Sequence, residues 1–457
     1  MSREPAAPGG ILGRVVASAA TGAVATLVGA AVAFGTMPLT VRHLGPEAFG
    51  LWTLASGVVG YMGLLDVGLS PALVTQTAAL TTRRDANARD ELSSIVSTIV
   101  VLYAGLGLLG ALGLCGIALA AGVLFQIPAH EVATFRVVLA LIGLQTAIGF
   151  PMSVWNAVLV GLQAVPLLNL LGIVTGLARG AGTVVVLHAG GGLLGLVTMN
   201  FAVTAVGWAL SWWQVRRRMP DLVVHCARFE RARLGAIANW SGAMLVWAVA
   251  GYALHQADRV MIGMALSMTA VAVYEVAARL VLTSRSVLQG WLSVVMPAAA
   301  ALTEVAAKDE LRSLYLRATR YLFASYAGIT LAFVALGRPF LRLWLGADFD
   351  GSYAVLVWLA FGTLCQSQAL VGHVMLPAMG ELVLFRRFMA GYAVVTLVCS
   401  ALGLWVAGVV GVAAGVATAI ALVESRFLVS IWRRLELAPA VVLRACHARV
   451  ALGLIPA

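Results

Sequence analysis

Between Ser93 and Ala121 the chain reads SSIVSTIVVLYAGLGLLGALGLCGIALAA, and no charged residue interrupts it. An α-helix needs roughly 20 apolar residues to cross about 30 Å of hydrocarbon, so this run is long enough to span a membrane. Comparable runs lie at 15–37, 50–74, 136–160, 166–188, 193–215, 236–256, 270–302, 319–337, 352–376, 384–407 and 409–432. Together they predict about twelve transmembrane helices. The first run is too long for the core of a signal peptide and leads directly into further spans, so an uncleaved helix is expected there.

Composition agrees with a chain whose main solvent is lipid. Of 457 residues, 61% are hydrophobic and only 11% are charged, against about 25% charged in an ordinary soluble domain. A net charge of +11 and a pI near 10.0 could suggest a nucleic-acid partner. The arginines, however, sit in short segments between apolar runs rather than in one patch interleaved with exposed aromatics, so no nucleic-acid partner is expected. Cys115, Cys226, Cys365, Cys399 and Cys446 form neither a CxxC nor a Cys/His spacing. That argues against a zinc site or a disulfide framework.

Basic residues also give an orientation. With the N-terminus inside, the cytoplasmic segments hold Arg3 and Arg14, Arg83 to Arg89, Arg216 to Arg233, Lys308 to Arg320, Arg386 and Arg387, and Arg433 to Arg449. Only Arg42, Arg136, Arg259, Arg338 and Arg342 fall on the opposite face. This bias predicts cytoplasmic termini and an even number of spans.

The second half repeats the first at an offset of about 220 residues. Leu44, Ala48, Trp52 and Ala55 align with Leu266, Ala270, Tyr274 and Ala277, and Gly161, Gly172 and Gly192 with Gly380, Gly391 and Gly411. An even number of helices per half makes the repeats parallel. The expected architecture is therefore an all-α integral membrane protein of two parallel six-helix bundles, at 1–215 and 236–432. A basic cytoplasmic linker at 216–235 joins them, and a cytoplasmic tail follows at 433–457. Two like-oriented bundles that rock about a central cavity are the geometry of alternating access.

The segment Val41-Arg-His-Leu-Gly-Pro-Glu-Ala-Phe-Gly-Leu-Trp52, with Tyr61-Met-Gly-Leu-Leu-Asp-Val-Gly-Leu69, resembles the polysaccharide-transporter branch of the multidrug/oligosaccharidyl-lipid/polysaccharide (MOP) flippase superfamily. Asp258-Arg-Val-Met-Ile-Gly263, Ala270-Val-Ala-Val-Tyr-Glu-Val-Ala-Ala-Arg279 and Trp344-Leu-Gly-Ala-Asp-Phe349 are similar to later segments of that family. The resemblance implies a MATE-like fold and a place in the bacterial inner membrane. It also implies transfer of an undecaprenyl-pyrophosphate-linked oligosaccharide from the cytoplasmic to the periplasmic leaflet, coupled to H+ or Na+. No other cofactor is implied, and a polysaccharide polymerase and export machinery are the implied protein partners. Elementary physics makes a matching demand, because a pyrophosphate and its sugars need a polar, cationic path while the polyprenyl tail can stay in lipid.

Ionisable residues inside spans are the strongest signal for such a path, since a charge at the bilayer centre costs at least roughly 2.5 kcal/mol and normally faces a cavity or a partner. In the eighth run Glu275, Arg279, Thr283, Ser286, Gln289 and Ser293 fall on one helical stripe, and Glu275 and Arg279 are spaced to pair. Arg285 is expected to line the cavity, at the edge of that stripe. Arg42 and Arg259 mark the outer ends of helices one and seven, and Arg179 stands among Gly176, Gly180 and Gly182. The substrate-binding candidates are thus Arg42, Arg179, Arg259, Arg279, Arg285 and Gln289. Asp66, Asp258 and Glu275 are the ion-coupling candidates.

Two rival readings follow from other features. A multidrug or cation antiporter of the same fold would favour carboxylates in its cavity, whereas the candidates here are mainly arginines. A membrane glycosyltransferase or polymerase could use Asp348 and Asp350 as a DxD that holds a metal-bound sugar phosphate. The short external loops leave little room for an acceptor, so no enzymatic activity is expected.

Overall fold

The structure, a computed structural model, describes residues 11–62, 69–83, 86–225, 256–289, 308–379 and 382–448, together with residues 295, 299, 302 and 450. Every regular element among them is helical. Hydrocarbon demands this, because an unpaired N–H or C=O costs several kcal/mol there and a helix pairs all of them within one segment. Among the described residues, eight helices are long and apolar enough to cross a membrane. Their outward faces carry large apolar side chains such as Leu119, Val123, Val185, Leu343 and Trp405.

In chain order the helices are α1 (Ile11–Met62), α2 (Leu69–Thr82), α3 (Ala86–Leu124), α4 (Val132–Gly161), α5 (Val165–His188) and α6 (Gly192–Arg218). A helix at 256–265, here α7, is followed by α8 (Met268–Gln289), α9 (Lys308–Leu345), α10 (Ser352–Ala378), α11 (Leu382–Arg434) and the short α12 (Pro439–Val442). Most of the predicted seventh span and linker, the end of the predicted eighth span and Asp66 lie outside the described residues.

Two of these helices are broken into pairs of limbs by non-helical residues. α1 breaks at Gly45, whose φ of 77° and ψ of 167° belong to a region that only glycine enters easily. Pro46 then opens the second limb, where its missing N–H has no helical partner to lose. The predicted second span, 50–74, begins within this limb, and its residues 63–68 lie outside the described residues. α11 breaks at Ala407 and Gly408, at the junction predicted between the last two spans. α3 and α9 extend beyond their predicted ends because charged first turns continue the helix past the apolar run. In α9, Asp309 and Glu310 occupy the first turn, where negative charge suits the helix dipole. Lys308 Nζ donates to Glu436 Oε1 at 3.1 Å and Arg312 Nε to the Leu435 carbonyl at 2.6 Å, which ties the start of α9 to the end of α11. The Lys308 bond holds the Glu436 carboxyl below its ordinary range.

Helix boundaries recur along the chain. Gly45 and the turn at 266–267, Leu124 and Leu345, Gly161 and Ala378, and His188 and Ala407 are each spaced by about 220 residues. The chain separates into two compact units. One comprises Met1–Gly45, Tyr61–Leu124 and Pro128–Leu245; the other comprises Pro46–Gly60, Phe125–Ile127 and Val246–Ala457. The first is centred on Leu73, Leu92, Ile99, Tyr103, Val154 and Val158, with Ser70 Oγ 2.8 Å from Tyr103 Oη. The second is centred on Tyr315, Tyr326, Val371, Met375, Phe427 and Ile431.

Within the second unit the limbs of α11 touch backbone to backbone. A Cβ on Gly403 would overlap the Gly411 carbonyl, one on Gly411 the Gly403 carbonyl, and one on Gly415 the Cys399 carbonyl. Close approach of this kind supplies dispersion energy where lipid offers no hydrophobic driving force. Gly411→Ala is expected to cost about 3 kcal/mol or more, at or above the upper end of the overpacking range, because both facing groups are backbone. Gly105→Ala, where a Cβ meets nothing within 4 Å, should leave stability unchanged or slightly raised. Thermal unfolding of the two variants in detergent checks the contrast.

Candidate functional site

The site is built on the turn between α7 and α8, which brings two adjacent residues of one helix against two adjacent residues of the next. Asp258 meets Tyr274, whose hydroxyl donates to Asp258 Oδ2 at 2.6 Å. Arg259 meets Glu275, with Arg259 Nε donating to Glu275 Oε2 at 2.6 Å. One turn further along α8, Arg279 reaches the other oxygen, Glu275 Oε1, through Nε at 3.0 Å and Nη2 at 2.7 Å. Arg259 Nη1 also donates to Gln256 Oε1 at 3.2 Å. Glu275 is thus clamped by two guanidinium groups and only 2% exposed, while Arg279 keeps nearly half of its side chain open. Burial of such a pair gains little net energy. Removing one member is costly, because the other charge is then stranded.

Beside this cluster lies a cavity of about 370 Å³, whose lining includes Asp258, Arg259, Tyr274 and His373. Arg285, Thr363, Gln366, Tyr392 and Thr396 line it as well. Gln366 Nε2 donates to the Tyr392 hydroxyl at 3.1 Å. Among the described residues no carboxylate pairs with Arg285, so its guanidinium faces the cavity uncompensated. Behind His373, Glu424 from the second limb of α11 stands 3.0 Å from His373 Nε2 and is 2% exposed.

Five sequence candidates therefore come together in one unit: Asp258, Arg259, Glu275, Arg279 and Arg285. Arg42 and Arg179 belong to the other unit. Arg42 is exposed near the end of the first limb of α1. Arg179 Nη2 donates to Thr204 Oγ1 at 3.0 Å and so bridges α5 to α6. The Gln289 side chain and Asp66 lie outside the described residues. The polar stripe on α8 is only partly wet. Thr283 and Ser286 return their hydroxyls to the carbonyls of Arg279 and Thr283. Two residues were not singled out from sequence, His373 and Glu424. Each is an ionisable group inside a predicted span, so the rule that selected Glu275 would have found them.

The DxD is already engaged. Arg342 Nε donates to Asp350 Oδ1 at 2.7 Å, its Nη2 pairs with Oδ2, and Arg338 Nη2 reaches Oδ2 at 3.1 Å. The Arg342 bond holds the Asp350 carboxyl down at about 2. A carboxyl depressed in the fold adds stability above its ordinary pKa and loses it as the pH falls towards 2. At neutral pH the clamp is therefore closed and a metal would have to displace two guanidinium groups.

The double clamp makes a direct prediction. Glu275→Ala should cost roughly 3 to 5 kcal/mol, because two arginines are left facing each other inside the unit. Adding Arg259→Ala should restore part of the loss, a non-additivity read from a thermal-unfolding double-mutant cycle. Strict additivity would show that the two residues do not interact.

A family signature runs through both units and includes the α7–α8 cluster. The family model described as polysaccharide biosynthesis protein matches residues 39–354, more than half of the chain. A Shigella flexneri protein classed as an O-antigen transporter is 33% identical over 76 residues, a stretch covering 17% of this chain and 18% of that protein. Among solved structures, the lipid II flippase MurJ in an inward closed conformation superposes with a TM-score of 0.74 at 11% identity, covering 94% of this chain and 90% of that one. An inward-facing multidrug resistance MATE family transporter of the MOP superfamily gives 0.69 at 15% identity, covering 90% and 98%. At these identities the likeness is one of fold. The chain therefore belongs to the polysaccharide biosynthesis protein family, as a multi-pass membrane protein with the helical fold of the MOP-superfamily transporters.

Proposed function

We propose that this protein moves a polyprenyl-pyrophosphate-linked oligosaccharide across the membrane, from the cytoplasmic to the periplasmic leaflet, by alternating access of two six-helix halves and coupled to an ion gradient. The observation that carries the proposal is Arg285. It lines an intramembrane cavity with no carboxylate partner among the described residues, and an uncompensated guanidinium in such a place calls for an anion. A pyrophosphate suits it, because the planar fork can give two parallel charge-assisted hydrogen bonds. Arg279, half open beside the cluster, is a second contact. Thr363, Gln366, Tyr392 and Thr396 offer the hydroxyl and amide groups that a sugar ring needs. The polyprenyl chain has no need of a polar path.

The same observation disfavours an antiporter of cationic drugs. Among the described residues Asp258 is the one carboxylate that lines the cavity, and it accepts from Tyr274, so the cavity's uncommitted charge is that of Arg285. It also disfavours a glycosyltransferase, since Asp350 is bound by two arginines.

Deleting the gene should strand a chemically normal lipid-linked oligosaccharide in the cytoplasmic leaflet. Mass spectrometry of extracted lipids checks this, and a truncated or altered glycan would instead favour an enzyme. In the complemented strain, Arg285→Ala should reduce surface polysaccharide at least tenfold at unchanged protein level. That is the effect of losing about 1.5 to 3 kcal/mol of charged hydrogen bonding. Arg285→Lys should recover only part of it, because a point charge does not reproduce the fork. Full export by Arg285→Ala would remove this residue from the path.

A further inference from the structure

We propose that the His373–Glu424 pair is the site that binds and releases the coupling proton; the proposal rests on the export reading above and assigns its ion step to these residues. Among the described residues the second unit buries three carboxylates against helices, and their surroundings differ. Glu275 receives three N–H groups from two arginines. Asp258 accepts the Tyr274 hydroxyl and lies beside Arg259. Glu424 has His373 Nε2 at 3.0 Å, but the approach is not aligned for a hydrogen bond, and neither Glu424 oxygen accepts one among the described residues. A carboxylate buried among apolar helices without directed donors gains more from a proton than one clamped by guanidinium groups.

The two groups form a graded pair. His373 lines the cavity, and Glu424 stands behind it, almost fully enclosed. Imidazole changes charge in the range that a membrane pH gradient spans. With one proton the pair is either imidazolium and carboxylate or imidazole and carboxylic acid, both of net charge zero. A second proton, arriving from cavity water at His373, leaves imidazolium beside carboxylic acid and makes the wall one unit more positive. No covalent bond other than N–H or O–H forms or breaks.

The charged and titratable groups around the pair, among the described residues, are Arg285 from α8, Tyr326 from α9 and Tyr392 from the first limb of α11. Tyr392 lies within electrostatic reach of both Glu424 and Arg285, and Tyr326 within reach of Arg285. The rings of Phe427 at 4.4 Å and Phe388 at 5.9 Å enclose His373 on its other sides. Arg285 and the pair thus share one cavity, so an anion held by Arg285 and a proton held by the pair must favour each other. Linkage makes that coupling reciprocal. Clamped Glu275, by contrast, holds the turn between α7 and α8.

The test is the binding of farnesyl pyrophosphate to the full chain in lipid nanodiscs, measured from pH 5 to pH 8 together with proton uptake in weakly buffered solution. For one linked proton the affinity should fall by up to tenfold per pH unit above the midpoint, and binding should draw protons from the medium. Glu424→Gln and His373→Asn, checked for folding by thermal unfolding, should each still bind the probe with a displaced midpoint, and the double variant should bind it with a flat pH profile and no proton uptake. Glu424→Asp should keep a pH dependence with a displaced midpoint, which separates proton exchange from packing. An unchanged pH profile in both Glu424→Gln and His373→Asn would overturn the assignment while leaving the export reading intact, and so would a flat profile in the parent. Failure of the parent to bind the probe at any pH would count against the export reading itself, and the assignment would fall with it.

Discussion

A charge can stay between apolar helices only where an opposite charge is held against it, and in this protein Glu275 is where that constraint is met most completely. Two guanidinium groups, from Arg259 on α7 and Arg279 on α8, close on one carboxylate that is almost fully buried. The clamp fixes the turn between the two helices. That turn in turn fixes Asp258 against Tyr274 and sets one wall of the cavity that Arg285 and His373 share. The remaining polar groups of the unit are arranged around charges that are already balanced.

That balance explains why so few residues are left for a ligand. A membrane unit with unpaired charges on every helix would not fold, and one with none could not carry a pyrophosphate. Here Asp258 and Glu275 are hydrogen-bonded, while Arg285 lines the cavity with no carboxylate partner among the described residues. The backbone accommodates this economy through small residues. Gly45 lets α1 turn before Pro46, and the glycines facing each other across the break in α11 bring its limbs into backbone contact. Glu424 rides on the second of those limbs, so the glycine contact also sets the place of the carboxylate behind His373.

Much of the architecture was legible from apolar run length, because lipid leaves a backbone few options. The junction predicted after residue 407 coincides with the break at Ala407 and Gly408. The break at Gly45 likewise falls in the gap predicted between the first two spans, whereas helix ends were less legible where charged turns continue a helix into the polar layer, as at Lys308. Within the site, the pairing of Glu275 with Arg279 was visible because four residues make one turn. The partnership with Arg259 was not, since it depends on how the turn at 266–267 sets α7 against α8. His373 and Glu424 were missed for a related reason. They stand in different predicted spans, and only the packing of α10 against the second limb of α11 brings them together as a pair. Arg179 shows the converse, as a solitary charge that looked like a substrate contact and instead bonds to Thr204.

The most direct test of the central claim is transbilayer movement itself. The full chain would be reconstituted into vesicles carrying lipid-linked oligosaccharide, and the fraction of glycan open to a membrane-impermeant oxidant added outside would be followed over time under an imposed pH gradient. The account predicts that this fraction rises above the starting outer-leaflet share in vesicles containing the protein, and stays constant in vesicles without it. An accessible fraction identical with and without correctly folded protein would contradict it.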